Sequence, residues 1–347
     1  MSKVDRAEEH YLDALEAMDD SDIEGALSCA RKATKADSQH AEAWWLISGL
    51  ELPKDSPPNL IQASRSLSAC RKAIALEPSN NDAWVRGGQL LADELGMYEE
   101  ALIWWQNRRE LVPYDPVAVI EQSALLADMG IYGKASVHLK QIFDLDLEVS
   151  PKQYQRIARL HSTMSKAAEQ DPIEHFKPWE KRHPGWSMIE LRKNKNPVSE
   201  SLIFLLVTSP FLVMEMWLAN SLNNAGFFGF CLTSLVVLFT VMIGMRFSRK
   251  LFHRVNKPAF DLVRAQDIET TSGYIVIPEE IRTSKMYMSI LSRRTKAFQE
   301  RTLSIVDEGK VLPKGWTPSI PNLEIEIIDY EEDIDEDEVD VPGFEEE

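Results

Sequence analysis

The residues that could support catalysis are scattered and form no known motif. The chain has no phosphate-binding loop, no GxGxxG after a strand, no HExxH and no serine in a nucleophile elbow. His175 and His183 flank a proline-rich stretch without metal-ligating neighbours, and Cys29, Cys70 and Cys231 form no CxxC pair. Such sparse cysteines suit a reducing cytoplasm rather than a disulfide framework. We therefore predict no enzyme activity, no metal, no cofactor and no nucleic-acid partner.

One ionisable side chain occupies an unusual position. Glu215 is the only charged residue in the apolar stretch 202–218. A carboxylate inside a membrane helix is costly, so transport or a proton relay through Glu215 is one interpretation. The alternative is that Glu215, about one helical turn from a polar link, tilts outward to headgroup water. Pro210 in the same stretch should kink the helix.

The apolar segments themselves predict a membrane anchor. Residues 202–218 and 227–247 are each close to the ~20 residues that a helix needs to cross a bilayer. The link at 220–226 is short and polar, so we predict a transmembrane helical hairpin over 199–247 with both flanks on one side. Small residues in its helices permit close approach, which makes self-association through the hairpin a further prediction.

Basic and aromatic residues near the hairpin predict its orientation. Lysine and arginine favour the cytoplasmic side, and tryptophan favours the headgroup level. The link at 220–226 carries no basic residue, and the N-terminus does not resemble a signal peptide. We therefore expect a two-span protein with cytoplasmic N- and C-termini. The expected interface anchors are Trp179, Trp186, Arg192, Lys193, Arg246, Arg249 and Lys250.

The chain repeats itself between residues 7 and 146, with a period of roughly 34–40 residues. The units begin near Ala7, Ala41, Asn81 and Pro116. Corresponding positions hold Trp44 and Trp84, Ser48 and Gly88, Ala26, Ala101 and Ala135, Ala33 and Ala73, Pro78 and Pro113, and the turns that start at Gly96 and Gly130. This pattern resembles the tetratricopeptide repeat, a pair of antiparallel helices that stacks into a superhelix.

The resemblance implies protein binding by an α-solenoid. An insertion at 53–59 in the second unit and one extra residue in the third depart from the pattern, and both are expected in loops. A repeat array needs a capping helix, for which 151–170 is the candidate because Ser150 can cap it and Pro151 suits its first position. The four tryptophans at 44, 84, 104 and 105 are expected to be structural.

In this repeat family, the first helix of each pair lines a concave groove. The positions of this sequence that correspond to the groove positions of the family are Tyr11, Leu15, Trp45, Gly49, Arg86, Gln89, Ile120 and Ala124. Trp45 could instead pack against a neighbouring repeat, and Arg86 could be an ordinary solvated arginine. Val85 and Gln89 stand where some members carry residues that grip a C-terminal carboxylate, so that binding mode is not expected.

Beyond the hairpin, a basic stretch at 248–257 should prolong the second helix until Pro258 interrupts it. Residues 274–277 are predicted to be extended, and 278–306 to form one amphipathic helix. Docking of this helix onto the repeats is the preferred interpretation, with a membrane-surface helix or a coiled coil as alternatives. Residues 323–328 alternate like an edge strand. The tail from 324 to 347 holds 14 acidic and no basic residues, so 329–347 should be disordered and could fold back on the basic segments.

The sequence thus predicts an all-α protein. Its expected parts are a repeat domain with its cap (1–170), a basic aromatic linker (171–198), two transmembrane helices (199–247), a cytoplasmic helical segment (248–310) and a proline-spaced acidic tail (311–347). The preferred function is a membrane-anchored adaptor that binds a protein or peptide in its groove. The alternative is a subunit of a transport or insertion complex, or a self-assembling pore.

Overall fold

A computed structural model describes residues 2–169, 175–222 and 226–324, and the side chains within these ranges except those of 218–222 and 226–228. The described residues are helical, and their only β feature is a single bridge between Ile275 and Val311. The predicted all-α class is therefore confirmed, and the segment 274–277, predicted to be extended, supplies Ile275 to this bridge. The predicted strand at 323–328 and the acidic tail lie almost entirely outside the described residues.

Fifteen α-helices and one π-helical turn make up these ranges. They are α1 (Lys3–Asp19), α2 (Ile23–Ala36), α3 (Ala41–Leu50), α4 (Leu60–Leu76), α5 (Asn81–Gln89), the π-helical turn (Leu90–Glu94), α6 (Tyr98–Leu111), α7 (Pro116–Asp128), α8 (Tyr132–Asp144), α9 (Pro151–Ala168), α10 (Pro184–Arg192), α11 (Glu200–Leu222), α12 (Gly226–Ser272), α13 (Glu279–Arg282), α14 (Lys285–Leu291) and α15 (Lys296–Glu308).

Helices α1 to α9 begin and end at the signals that the sequence carries. Ser150 caps α9 reciprocally with Gln153, and Pro151 takes the first helical position, as predicted. Gly96 and Gly130 have φ of +63° and +82°, a conformation that glycine adopts without steric cost. Each of these nine helices packs mainly against its neighbours along the chain. The expected helix pairs are therefore present as local units.

The core between these helices contains the aromatic and small residues of the repeated positions. Trp84, Trp104 and Trp105 are buried, and the Trp104 indole donates to the Trp84 carbonyl oxygen at 2.8 Å. Ala26, Ala101 and Ala135 are completely buried. The Trp105 ring lies against Gly88, where a side chain would overlap it. The structural role expected for the tryptophans is confirmed for these three, and half-buried Trp44 donates to the Ser38 carbonyl oxygen at 3.0 Å.

The two departures from the repeat pattern have different outcomes. Residues 53–59 form a loop, as expected. The extra residue of the third unit does not lie in a loop, because the helix absorbs it as the π-helical turn Leu90–Glu94. There the Leu95 amide donates to the Leu90 carbonyl oxygen at 3.0 Å, five residues back. A single inserted residue in an α-helix commonly takes this form.

Helices α11 and α12 are both long and apolar enough to cross a membrane. They pack against each other, and their contacts pair early residues of one with late residues of the other. Thr208 lies against Gly244, the Thr240 hydroxyl donates to the Glu215 carboxylate, and Arg249 lies 3.4 Å from Glu200. Between Leu202 and Met245, the exposed side chains that the structure describes are mainly apolar, as the 83% exposure of Trp217 illustrates.

The region after the apolar segments differs from the prediction in two ways. The predicted extension of the second apolar helix through 248–257 is confirmed, but helix α12 does not stop at Pro258 and continues to Ser272. Residues 278–306 do not form one helix but three, because Pro278, Ser284 and Thr295 each cap a new helix start. Helices α10 and α12 to α15 share a second core that includes Phe176, Ile189, Leu262 and Phe298.

The expected docking of the C-terminal helices onto the repeats is present. The Glu300 carboxylate accepts the Leu60 amide at the start of α4 at 2.8 Å, and the Thr295 hydroxyl donates to the Glu94 carbonyl oxygen at 3.3 Å. At the end of α12, the Thr271 hydroxyl donates to the Gly96 carbonyl oxygen at 2.9 Å. Helix α12 is thus joined directly to the turn that precedes α6.

Candidate protein-binding groove

Three of the predicted groove residues meet at one place. The Arg86 guanidinium lies over the Trp45 ring, with its carbon 3.8 Å from the ring centroid, and also packs against Gly49. Arg86 Nη1 donates to the Ser48 hydroxyl at 2.7 Å. Burial lowers the pKa of Arg86 from its usual value, although the group stays charged at any ordinary pH. Arg86 is therefore a fixed cation on an aromatic surface rather than a solvated side chain.

Helix α1 contributes aromatic and acidic side chains that lie against His40, the residue before α3. The Tyr11 ring lies 4.9 Å from the His40 ring, measured between centroids, and both side chains are half-buried. His40 in turn lies 3.3 Å from the Glu8 carboxylate and 3.2 Å from that of Glu42. Burial raises the pKa of Tyr11, and the two carboxylates raise it further. Half-buried Leu15 belongs to the same helix.

The remaining predicted groove residues have separate outcomes. Ile120 is only 1% exposed and belongs to the repeat core, so its placement on the groove surface was wrong. A register based on the repeat resemblance could not distinguish the surface of α7 from its core side, because both carry apolar residues. Gln89 is exposed and Ala124 is half-buried, and no described contact links either residue to Trp45.

A buried polar network joins α6, α7 and α8, and no sequence motif indicated it. Arg109 is only 1% exposed and donates to the Gln141 side chain and the Leu323 carbonyl oxygen, both at 2.9 Å. Gln122 and His138 complete the network at 2.9 Å from each other. Burial lowers the pKa of Arg109 to about 10, while burial and then Arg109 lower that of His138 to about 3. The segment just before the acidic tail is thus hydrogen-bonded to α6 through the Leu323 carbonyl oxygen.

A cleft of about 820 Å³ lies beside the inserted loop 53–59. Helix α2 contributes Arg31, Lys32 and Lys35, and the loop contributes Lys54 and Asp55. Arg31 is already paired with buried Glu51. The insertion signalled a longer loop in the sequence, but the basic wall of α2 could not be associated with it without the fold.

Glu215 does not tilt away from its neighbour helix, as the alternative interpretation required. The carboxylate is 7% exposed, faces α12 and accepts the Thr240 hydroxyl. Its second oxygen has no hydrogen-bond partner within the part of the chain that the structure describes. Pairing with α12 therefore accounts for one of the two carboxylate oxygens of Glu215.

The predicted interface anchors divide into packed and exposed groups. Trp186 makes an edge contact with Phe176 at 5.0 Å between centroids, and Trp179 makes one with Trp316 at 6.2 Å, so both rings have partners within the chain. Lys193 is half-buried and lies 3.6 Å from Glu190. The exposed anchors are Arg192, Arg246, Arg249 and Lys250.

Comparison with known proteins adds no assignment. No protein-family model matches the chain, and no curated protein matches it significantly.

Proposed function

We propose that this protein is a membrane-anchored adaptor of the tetratricopeptide type. In this proposal α1 to α9 stack as a solenoid whose concave groove binds a protein or peptide at the cytoplasmic face. Helix α11 and the first half of α12 form a transmembrane hairpin, with both termini cytoplasmic. The observation that carries the proposal is the continuity of α12, which runs from its exposed apolar half to the turns between repeat helices.

In this proposal, the continuous helix α12 would set the distance between the groove and the bilayer. Beyond Phe247, α12 continues for a length of about 37 Å at 1.5 Å per residue. Its end is bound on both sides: the Tyr98 amide donates to the Thr271 hydroxyl at 3.2 Å, and the Arg264 guanidinium donates to the Tyr132 hydroxyl. A simple tether needs only a flexible linker. The part of α12 beyond Phe247, which we call the strut, is instead a rigid support. It would hold a captured partner at a fixed distance from the bilayer, where the effective concentration of the partner toward other membrane components is high.

The groove offers the residue types that dominate protein recognition. Trp45 is half-exposed and stacked by a cation, and Tyr11 lies on the preceding first helix. Tryptophan, tyrosine and arginine are enriched among the residues that contribute most to binding energy. We therefore assign the Trp45–Arg86 pair as the centre of the binding surface.

Site-specific cross-linking tests the adaptor function. A photoreactive residue at position 45 of the full-length protein should capture a discrete protein in native membranes. The matched control places the same residue at Ile103, which is 50% exposed on α6, a second helix of its repeat. The captured protein should then bind the purified chain, and Arg86→Gln should weaken this binding at least tenfold, whereas Arg71→Gln on the exposed surface of α4 should not. Equal capture from both positions, or capture of the chain's own C-terminal segment alone, would contradict the proposal.

A second candidate function rests on Glu215. A buried carboxylate in an apolar helix pair, with one oxygen that has no partner among the described residues, is the arrangement expected of a conducting or complex-forming membrane component. Glu215→Leu in proteoliposomes distinguishes the two functions. The adaptor should retain partner binding and show no change in proton or ion flux, whereas loss of a wild-type flux would favour the membrane-component function.

A further inference from the structure

A cleft of about 740 Å³ lies between α10 and α12, just beyond the apolar half of α12. Arg192 of α10 and Arg254 and Lys257 of α12 line it, together with Met188 and Leu251. The three cationic side chains are exposed. None of them forms an ion pair with another described residue, although Arg192 donates to the Val255 carbonyl oxygen at 2.8 Å. The cleft therefore combines uncompensated positive charge with apolar walls.

One carboxylate opposes this charge. Asp261 lines the deep end of the cleft and is 5% exposed. Its pKa is raised to about 6, chiefly by burial, while Arg264 and Lys257 act in the opposite direction. His183 also lines the cleft, but its Nδ1 accepts the Gly185 amide at 3.0 Å. Three cations against one carboxylate leave the cleft net positive.

The position of the cleft relative to the bilayer rests on the proposed function. If the hydrocarbon core ends near Phe247, Arg254 begins about 10 Å and Lys257 about 15 Å further along the helix axis. Side chains on a helix lean toward its N-terminus, which for α12 is the membrane side. Arginine and lysine can therefore reach back toward the phosphate level. Met188 and Leu191 of α10 are 52% and 78% exposed, so this side also presents apolar surface.

We propose that the cleft between α10 and α12 binds the phosphate headgroup of an anionic phospholipid. Arginine recognises phosphate through paired N–H donors, and lysine contributes a mobile point charge. In this arrangement Arg254 and Lys257 hold the phosphate, Arg192 closes the cleft from α10, and the acyl chains leave along Met188 and Leu251. The bound lipid would join α10 to α12 and so brace the strut that carries the repeats.

The test uses the full-length protein in detergent, titrated separately with short-chain phosphatidylglycerol and phosphatidylcholine, with native mass spectrometry and thermal unfolding as readouts. The wild type should retain one phosphatidylglycerol in preference to phosphatidylcholine. Arg254→Gln/Lys257→Gln should weaken this binding at least about tenfold, because two charge-assisted contacts are lost. Asp261→Asn should strengthen it. The matched control is Arg246→Gln/Lys250→Gln, which removes the same charge from exposed α12 positions outside the cleft.

Each outcome decides the proposal. Loss of selectivity confined to the cleft variant supports it, whereas equal loss in the control variant would show diffuse attraction to charge and overturn it. Glycerol 1-phosphate binding as tightly as the lipid would identify a soluble ligand instead and would also overturn it. Resistance to carbonate extraction from membranes is measured separately: extraction of the wild type would refute the membrane anchor, whereas a resistant protein without lipid selectivity would refute only the headgroup site.

Discussion

Removing the Phe298 side chain should separate the repeats from the strut without unfolding the repeats. Phe298 is 1% exposed, and its ring lies so close to Gly96 that an added Cβ there would come within 2.5 Å of it. The Arg294 guanidinium also lies over the ring, with its carbon 4.6 Å from the centroid. Truncating a buried phenylalanine to alanine typically costs about 3–5 kcal/mol. That loss raises the open population of the junction more than about a hundredfold.

The assay measures the distance between Gln89 on α5 and Lys250 on α12. Spin labels at Gln89 and Lys250, both exposed, are introduced after replacement of the three native cysteines. Double electron–electron resonance should give a narrow distance distribution for the parent protein and a broad one for Phe298→Ala. Hydrogen exchange should accelerate in α15 and at the end of α12, whereas α3 and α7 should remain protected because their own core is intact.

Leu303→Ala serves as the matched control, because Leu303 lies on the same helix and is 56% exposed. It should leave both measurements unchanged. An unaltered distance distribution in Phe298→Ala would refute the rigid-junction reasoning. Loss of protection throughout the repeats would refute it differently, by showing that repeats and C-terminal helices unfold as one cooperative unit.

Two further predictions concern charge. Glu269→Gln should destabilise the protein by about 3–5 kcal/mol in thermal unfolding, because it breaks an ion pair whose Glu269 side chain is fully buried and leaves the half-buried Arg282 without its carboxylate. Glu100→Gln in an exposed ion pair should cost less than about 1 kcal/mol, and similar losses in the two variants would contradict this. Asp261→Asn should raise stability at pH 8 by up to about 3 kcal/mol, and this gain should shrink to less than about 1 kcal/mol at pH 4. The folded pKa of Asp261 is raised to about 6 from 3.8, so its favourable contribution is complete below pH 3.8 and is lost as the pH rises through 6. A constant difference across this range would refute the assignment.

Local signals in the sequence predicted the helices well. Ser150 and Pro151 mark the start of α9, and the two glycine turns mark the change between paired helices, because caps and positive φ depend on residues within a few positions. The exposed apolar helices followed from length and composition alone. Such properties need no knowledge of distant contacts.

Other features depended on distant residues and were either mispredicted, as at Pro258 and Ile120, or not predicted at all, as at Arg109. Pro258 removes an amide donor from α12, yet the helix continues, and Arg192 from α10 donates to the neighbouring Val255 carbonyl oxygen. Arg109 lies in the core because Gln141 and the Leu323 carbonyl oxygen receive its donors, and these partners lie 32 and 214 residues away. Ile120 was wrongly assigned to the groove surface for a related reason. Only the packing of α7 against its neighbours shows which side of this helix faces the core.

The course of the chain after the apolar half of α12 bears on the proposed adaptor function. Residues 259–324 return to the array and contact α4, the π-helical turn, α6 and the turn before α8. The segment before the acidic tail continues along the same side: the Ser319 amide donates to the Glu99 carboxylate at 2.8 Å, and Leu323 binds Arg109. Within the described residues, none of the hydrogen bonds, ion pairs or aromatic contacts of this return segment involves Trp45 or Arg86. The chain thus covers α4, α6, the end of the first helix of the third unit and the turns with its own residues. Among the described residues it makes no such contact with the Trp45–Arg86 pair, the pair that the proposed adaptor function would use.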